Sequence, residues 1–189
     1  PTLDQDFIDE AAHTYGEHQD LSRVRRLGNF PHASSTQSHT TEQVNRAMSN
    51  RLELPSYHHY PKVAGIDIAR FGDDETVFIT RQGPKILDIT KYKGMNTMEV
   101  AGHALQYYKQ WQHNTVFVDG TGLGAGVVDR CREFDMPIVD VVVANKSSNP
   151  LKFVNLKSQL WGSMKDWLNN GADLPNDPEI KKQLLSMEY

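Results

Sequence analysis

The sequence has 189 residues, of which 38% are hydrophobic, and a formal net charge of −4. This length and hydrophobic content can bury one substantial core. The acidic balance excludes a globally basic nucleic-acid-binding surface, so any contact with nucleic acid must come from a local patch. The single cysteine, Cys131, excludes an intramolecular disulfide and favours a reducing compartment. No apolar run is long enough to span a membrane, and no signal-peptide pattern is present.

The first third of the chain predicts a small helical extension. Residues 3–15 have helical spacing of apolar side chains, and Thr40 and Gln43 stand in capping-box spacing before a further helix. A Pro- and Tyr-bounded segment at residues 54–61 reads as a linker. We therefore predict an extension and linker over residues 1–60 and a main domain over residues 61–189. Because the chain lacks an initial methionine and stops directly after a predicted helix, we expect a fragment truncated at its C-terminus.

The main domain predicts a mixed sheet. Two hairpins link the first three predicted strands, and helical crossovers precede the fourth and the fifth. Hairpins favour antiparallel pairing, whereas crossovers need parallel strands. The order predicts an α/β fold, a ribonuclease-H-like mixed five-stranded sheet flanked by helices on both faces, with strand one beside strand four. The strands are predicted at residues 63–68, 75–81, 86–92, 115–119 and 138–143, and the helices of this domain at residues 96–112, 124–134, 153–169 and 179–187.

Two aspartates stand at the ends of apolar strands. Asp67 lies inside a short run of aliphatic residues, and Asp119 ends a β-branched run. A hydrogen bond to a nearby backbone amide is one way to compensate the charge of Asp67, and a bound cation is another. If the two strands are parallel neighbours, both carboxylates reach one edge of the sheet, where hard oxygen ligands hold Mg²⁺ or Mn²⁺. Phosphodiester hydrolysis uses such sites, often with two ions roughly 3.5–4 Å apart.

Basic residues near these strand ends are candidate phosphate contacts. Each alone is typical of a solvated surface, but as a group around an acidic site they are what DNA docking requires. These candidate DNA-binding residues are Arg70, Lys146, Lys152 and Lys157. Asp74 is a candidate partner that orients a metal ligand.

The glycine run after Asp119 invites a dinucleotide-binding interpretation. It begins at Gly120, but it lacks the third glycine in register, and no acid closes a second strand about twenty residues on. The glycines are better explained if the next helix starts close to Asp119, with its N-terminal amides facing phosphate.

Four segments together resemble one known family. They read LSRVRRLGNFP (21–31), VAGIDIARFGDDETVFI (63–79), VFVDGTGLGAGVVDR (116–130) and KFVNLKSQLWGSMKDWLNNG followed by LPND (152–177). In this order and spacing they resemble the large terminase subunit of tailed bacteriophages, from the segment after its ATPase domain into its C-terminal nuclease domain. The resemblance implies a ribonuclease-H-like nuclease that cuts concatemeric viral DNA with divalent metal. It also implies that Asp67 and Asp119 are the first and second metal-binding acids.

The sequence departs from this family in two places. It has no GxxxxGK[ST] pattern, so the ATPase site is not in this chain. The family's third metal-binding acid lies in a Ser-Pro-Asp-type segment downstream of the final matching helix, so we expect an incomplete metal site and little or no cleavage by this fragment. Asp173, Asp177 and Glu179 stand in a Pro-flanked context that does not match.

The resemblance also implies binding partners and a cellular location. They are double-stranded DNA, the ATPase domain of the same full-length subunit, the portal and the small terminase subunit, in the host cytoplasm and without a membrane. It implies a ring oligomer for the full-length protein, with this fragment expected as a monomer. Two alternatives stay open: a non-catalytic docking domain of the packaging motor, which predicts no effect of metal on stability, and an ATP-binding actin- or sugar-kinase-like domain, which predicts nucleotide binding.

Overall fold

The computed structural model describes residues 38–69 and 74–187. These residues belong to two compact units, one made of residues 38–46 and 177–187 and the other of residues 47–176. The predicted helix at residues 3–15 and the candidate phosphate contact Arg70 lie outside the described residues. The domain boundary predicted near residue 61 stays a prediction.

The larger unit contains a mixed five-stranded sheet in the order β3-β2-β1-β4-β5. The β1/β2 and β2/β3 pairs are antiparallel, and the β1/β4 and β4/β5 pairs are parallel. This confirms the predicted sheet, with the hairpins and crossovers in the expected places. The strands are β1 (Lys62–Asp67), β2 (Glu75–Gln82), β3 (Lys85–Lys93), β4 (Thr115–Asp119) and β5 (Ile138–Val141).

Capping side chains fix where the helices begin. Asn96 and Glu99 form a capping box at the start of α2. α4 begins at Leu156 rather than at residue 153, because Asn155 is its N-cap and exchanges capping bonds with Ser158. The helices are α1 (Thr41–Ser49), α2 (Thr97–Trp111), α3 (Gly124–Glu133), α4 (Leu156–Asn169) and α5 (Pro178–Ser186). None of the helices in the described ranges has the length and apolar character needed to cross a bilayer.

The core lies between one face of the sheet and helices α2 and α3. Phe78 of β2 is fully buried there and makes edge-on ring contacts with Tyr92 and Tyr107. Helix α4 contacts the other face, where the Arg81 guanidinium lies 5.8 Å from the ring centre of Trp167. The predicted flanking of the sheet by helices on both faces is therefore confirmed.

Cys131 packs within this core. It is fully buried in α3, and burial raises the pKa of its thiol to about 11. A thiol in this environment is protonated at neutral pH and unreactive.

Asp173 serves as a structural anchor in the larger unit. It is buried, accepts a hydrogen bond from the backbone N–H of Leu52 at 2.8 Å and forms an ion pair with the Lys85 ammonium at 2.8 Å. Its own N–H donates to the carbonyl of Pro84. These contacts tie the segment after α1 and the segment after α4 to the β2–β3 turn. These contacts compensate the buried charge of Asp173 without a metal ion.

The smaller unit is organised by caps. Thr40 and Gln43 exchange the reciprocal hydrogen bonds of a capping box at the start of α1, as predicted from their spacing. The carboxylate of Asp177 accepts the N–H of Glu179 at 2.7 Å at the start of α5. Asp177 is therefore a helix cap.

Candidate metal centre

Asp67 and Asp119 stand at the ends of two hydrogen-bonded parallel strands. Asp67 is the last residue of β1 and Asp119 the last of β4, and the register sets Ile66 opposite Val118. Side chains alternate along a strand, so the two aspartates share the face opposite these buried aliphatic residues. The structure thus brings both candidate metal-binding acids to one edge and one face of the sheet.

The surroundings of Asp67 raise the pKa of its carboxyl group. Although its side chain remains exposed, neighbouring atoms remove part of the water around its carboxylate, and this loss of hydration raises its pKa. The negative charge of Asp119 raises the pKa further, and a hydrogen bond from the Ile68 backbone N–H opposes the shift. The two carboxylates therefore repel each other, and a cation between them would relieve that repulsion.

The backbone after β4 fixes Asp119 in place. The N–H of Thr121 donates to Asp119 Oδ1 at 2.9 Å. Helix α3 begins so close to this strand that a Cβ on Gly124 would lie 1.8 Å from the Asp119 carbonyl oxygen. The glycine run therefore lets the helix begin against Asp119, as the sequence predicts. One hydrogen bond still leaves lone pairs on this carboxylate for a cation.

A third carboxylate, which no sequence pattern assigns to the site, lies nearby. Asp140 of β5 is in register with Val118, so it faces away from the shared face of the two candidate ligands. A Cβ at Gly120 would lie 1.8 Å from Asp140 Oδ1, which means that the carboxylate packs against the glycine backbone directly after Asp119. The glycine that follows Asp119 is the only sequence signal that points to this close approach.

The donor set fits a hard divalent cation but does not complete a site. Asp67 and Asp119 offer the carboxylate oxygens that Mg²⁺ and Mn²⁺ prefer. Within residues 38–69 and 74–187, no three His, Cys, Asp or Glu side chains converge in a group that could hold a metal ion. Asp74 lies just before β2 and is exposed, and its role in orienting a ligand stays a prediction.

The predicted lysines follow the carboxyl end of β5. Lys146, Lys152 and Lys157 are all exposed, and the Lys152 ammonium lies 5.1 Å from the ring centre of Phe153. The backbone N–H of Lys157 donates to the carbonyl of Val143, two residues past β5. The segment that carries these lysines therefore leaves the same sheet edge at which β1 and β4 end.

Comparison with known proteins places the fold. No protein-family model and no curated protein matches the sequence. Among solved structures, the nuclease domain of the large terminase subunit from bacterial virus Sf6, solved with manganese, aligns with a TM-score of 0.62 and 18% identity. The large terminase nuclease from thermophilic phage G20c aligns with a TM-score of 0.63 and 16% identity with bound magnesium. Its zinc-bound structure aligns with a TM-score of 0.56 and 19% identity.

The fold is that of phage terminase nucleases. The alignments cover 71% of this chain and 65% of the Sf6 chain, 82% of both chains for the magnesium-bound G20c structure, and 70% and 73% for the zinc-bound one. This chain therefore spans just under two thirds of the Sf6 nuclease domain. Further structures of these terminase nucleases contain calcium or cobalt.

Proposed function

We propose that this chain is the nuclease domain of a phage large terminase subunit, a divalent-metal-dependent endonuclease that acts on double-stranded DNA. The observation that carries the proposal is the pair formed by Asp67 and Asp119 on neighbouring parallel strand ends. It is supported by a fold shared with terminase nucleases that were solved with magnesium or manganese. The four sequence segments that resemble the same family support it independently.

The chemistry assigned to the chain follows from these positions. Bound divalent ions would activate the attacking water and stabilise the leaving oxygen. Asp67 and Asp119 supply carboxylate oxygens for the metal, and the Thr121 N–H fixes the orientation of Asp119. Lys146, Lys152 and Lys157 contact phosphates and hold the DNA beside the acids.

A two-metal reaction needs further anionic ligands. Two carboxylates offset only part of the charge of two divalent ions, and among the described residues no third acidic side chain converges with this pair to form a metal-binding group. We infer from the family resemblance that a downstream acid in a Ser-Pro-Asp-type segment completes the site. Asp173 and Asp177 do not take this role, because one is bound to Lys85 and the other caps α5.

The biological setting belongs to the same proposal. The resemblance suggests that the domain cuts concatemeric DNA in the host cytoplasm, next to the ATPase domain of its own subunit. The portal and the small terminase subunit would be its partners in a ring-shaped motor. The sheet edge with two acids followed by exposed lysines is compatible with a duplex lying across it.

Nicking of supercoiled plasmid tests the function directly. A chain extended to the downstream acid should nick plasmid with Mn²⁺ and not with EDTA, and Asp67→Ala should abolish the nicking. Asp166→Ala is the matched control, because Asp166 is an exposed acid next to Trp167, which lies at the opposite sheet edge against Gly83. Equal nicking by the Asp67→Ala and parent chains would refute the proposal.

A further inference from the structure

The segment after β5 is basic, although the protein as a whole is acidic. Residues 141–165 contain four lysines and no aspartate or glutamate, in a protein whose formal net charge is −4. The segment includes the turn at residues 149–152 and the first ten residues of α4. Such a local positive patch is what an acidic protein needs to bind a polyanion.

The turn within this segment is held in one conformation. The carbonyl of Asn149 accepts the backbone N–H of Lys152 at 3.1 Å and of Phe153 at 3.0 Å. Pro150 and Leu151 therefore take the two central positions of the turn, and proline is favoured at the first of them. The ring of Phe153 packs on Gly162 of α4, where a Cβ would lie 2.5 Å from it.

Side-chain hydrogen bonds tie the base of the segment to α4. Gln159 Oε1 accepts the Ser147 hydroxyl at 2.9 Å and the Ser148 N–H at 2.8 Å. The Ser147 hydroxyl in turn accepts the N–H of Asn149 at 2.9 Å. The turn is thus preorganised, which lowers the entropic cost of using it as a binding element.

Two exposed aliphatic side chains lie in this turn and directly after it. Leu151 and Val154 have relative exposures of 101% and 92%, higher than any other large hydrophobic side chain in the described part of the chain. Single exposed aliphatic residues are ordinary, but these two lie on either side of Lys152 and Phe153 in the chain, and we call the pair the apolar tip. The tip flanks Lys152 directly.

The segment that carries the apolar tip begins at the sheet edge where Asp119 lies. The segment begins after Val141, the last residue of β5, and β5 pairs in parallel with β4, which ends at Asp119. The amide of Leu156 donates to the carbonyl of Asn145, which returns the chain to the same sheet edge before α4 begins. The segment therefore starts at the same sheet edge as Asp119, one strand away.

We propose that residues 146–157 form a duplex-docking turn, in which Leu151 and Val154 enter a groove of double-stranded DNA while Lys146, Lys152 and Lys157 contact the flanking phosphates. Proteins that bind DNA grooves use apolar side chains in this way, against bases and sugars, with cations on the backbone. The inference rests on the proposed nuclease function and assigns the element that positions its substrate.

Charge complementarity favours a polyanion over a neutral protein surface, and the proposed nuclease function favours DNA as that polyanion. Residues 141–165 carry four lysines and no acidic residue, which suits a continuous phosphate backbone. The apolar tip has only two side chains, which is too small for a stable protein–protein interface. It is large enough to fill part of a groove.

Duplex binding in EDTA separates this inference from the metal-dependent function. We expect the double variant Leu151→Ser/Val154→Ser to bind a short DNA duplex about tenfold more weakly with an unchanged salt dependence, because apolar contacts release no counterions. Lys152→Ala/Lys157→Ala should weaken binding and reduce the salt slope by about 2. The matched controls are Leu54→Ser and Lys109→Ala, two exposed residues near the opposite sheet edge, and both should bind as the parent chain does.

Heparin and lipid vesicles complete the test. Heparin offers anionic charge without a base-lined groove, so the apolar double variant should bind it as tightly as the parent chain, whereas the lysine double variant should not. Parental duplex affinity in the Leu151→Ser/Val154→Ser chain would overturn the proposal. So would an equal loss on heparin and on the duplex, or binding of the parent chain to phosphatidylglycerol vesicles but not to the duplex. None of these results depends on metal, so failure here is distinguishable from failure of Asp67 and Asp119 as ligands.

Discussion

Asp67 and Asp119 end two neighbouring parallel strands, and partial loss of hydration, together with the charge of Asp119, raises the pKa of Asp67. This relationship links the sequence pattern to the proposed chemistry, because strand pairing alone delivers both carboxylates to one face. It also makes the pair unfavourable in the absence of a cation.

The first prediction concerns the metal-free protein. Asp67→Asn should raise Tm by about 1–2 °C at pH 7, because it removes a negative charge that is partly dehydrated and is repelled by Asp119. Because the pKa of Asp67 is higher in the folded protein than in the unfolded chain, protonation of this carboxyl favours the folded state. The resulting stability is fully present below the ordinary pKa of 3.8 and is lost as pH rises through the raised pKa. The gain should therefore disappear below about pH 3.8. Thermal unfolding in EDTA at both pH values measures it, and a lower Tm for the variant at pH 7 would argue against repulsion.

The second prediction concerns the glycine at the start of α3. Gly124→Ala should destabilise the protein by about 1–3 kcal/mol, because its Cβ would lie 1.8 Å from the backbone carbonyl of Asp119. Gly126→Ala in the same helix is the matched control, since its Cβ would meet nothing within 4 Å. That change should be neutral or stabilise by up to about 1 kcal/mol. Urea unfolding distinguishes the two, and equal stabilities would contradict the packing described here.

The third prediction concerns His113, which is buried in a polar network. Thr80 Oγ1 lies 2.8 Å from His113 Nε2 and donates to the Tyr107 hydroxyl, which donates to Asp88. Burial first, and then the positive charge of Lys62, lowers the pKa of His113 to about 4 from its ordinary 6.5. Because the unfolded chain takes up a proton near pH 6.5 and the folded protein does not, stability should fall between pH 6.5 and pH 4.

The size and test of this effect follow from the shift. The loss should be on the order of a few kcal/mol. A series of urea unfolding curves across that pH range measures it, with His113→Gln as the comparison because glutamine does not titrate. If the parent chain and His113→Gln lose stability in parallel, the histidine is not the cause.

The fourth prediction separates a structural acid from the candidate ligands. Asp173→Ala should cost roughly 2–4 kcal/mol, because it leaves the Lys85 ammonium and the Leu52 amide without their buried acceptor. The milder Asp173→Asn should bind Mn²⁺ as the parent chain does. Calorimetric titration with Mn²⁺ checks this, and weakened binding would place Asp173 near the metal after all.

Local patterns in the sequence predict the sheet and the two candidate ligands. The aliphatic runs before Asp67 and Asp119 define strands whose carboxyl ends lie together if the strands are parallel neighbours, and Asn96 with Glu99 marks the start of α2. These signals lie within a few residues of one another. The structure contains the strands and the helix start that these signals predict, because strand alternation and helix capping depend only on neighbouring residues.

Contacts between distant polar residues could not be predicted in the same way. Asp173 and Lys85 are 88 residues apart, and the network of Thr80, Tyr107 and His113 joins three separate elements. No periodic pattern marks such partners, because their pairing depends on how elements pack. The approach of Asp140 to Gly120 is of the same kind.

Mn²⁺-dependent stabilisation tests the central claim most directly. Mn²⁺ at 100 times its Kd should stabilise the parent chain by about 2.7 kcal/mol, and the control Asp166→Asn equally. At the same Mn²⁺ concentration, Asp67→Asn and Asp119→Asn should show clearly smaller shifts in Tm. Equal shifts in all four proteins would contradict the assignment of Asp67 and Asp119 as the metal ligands.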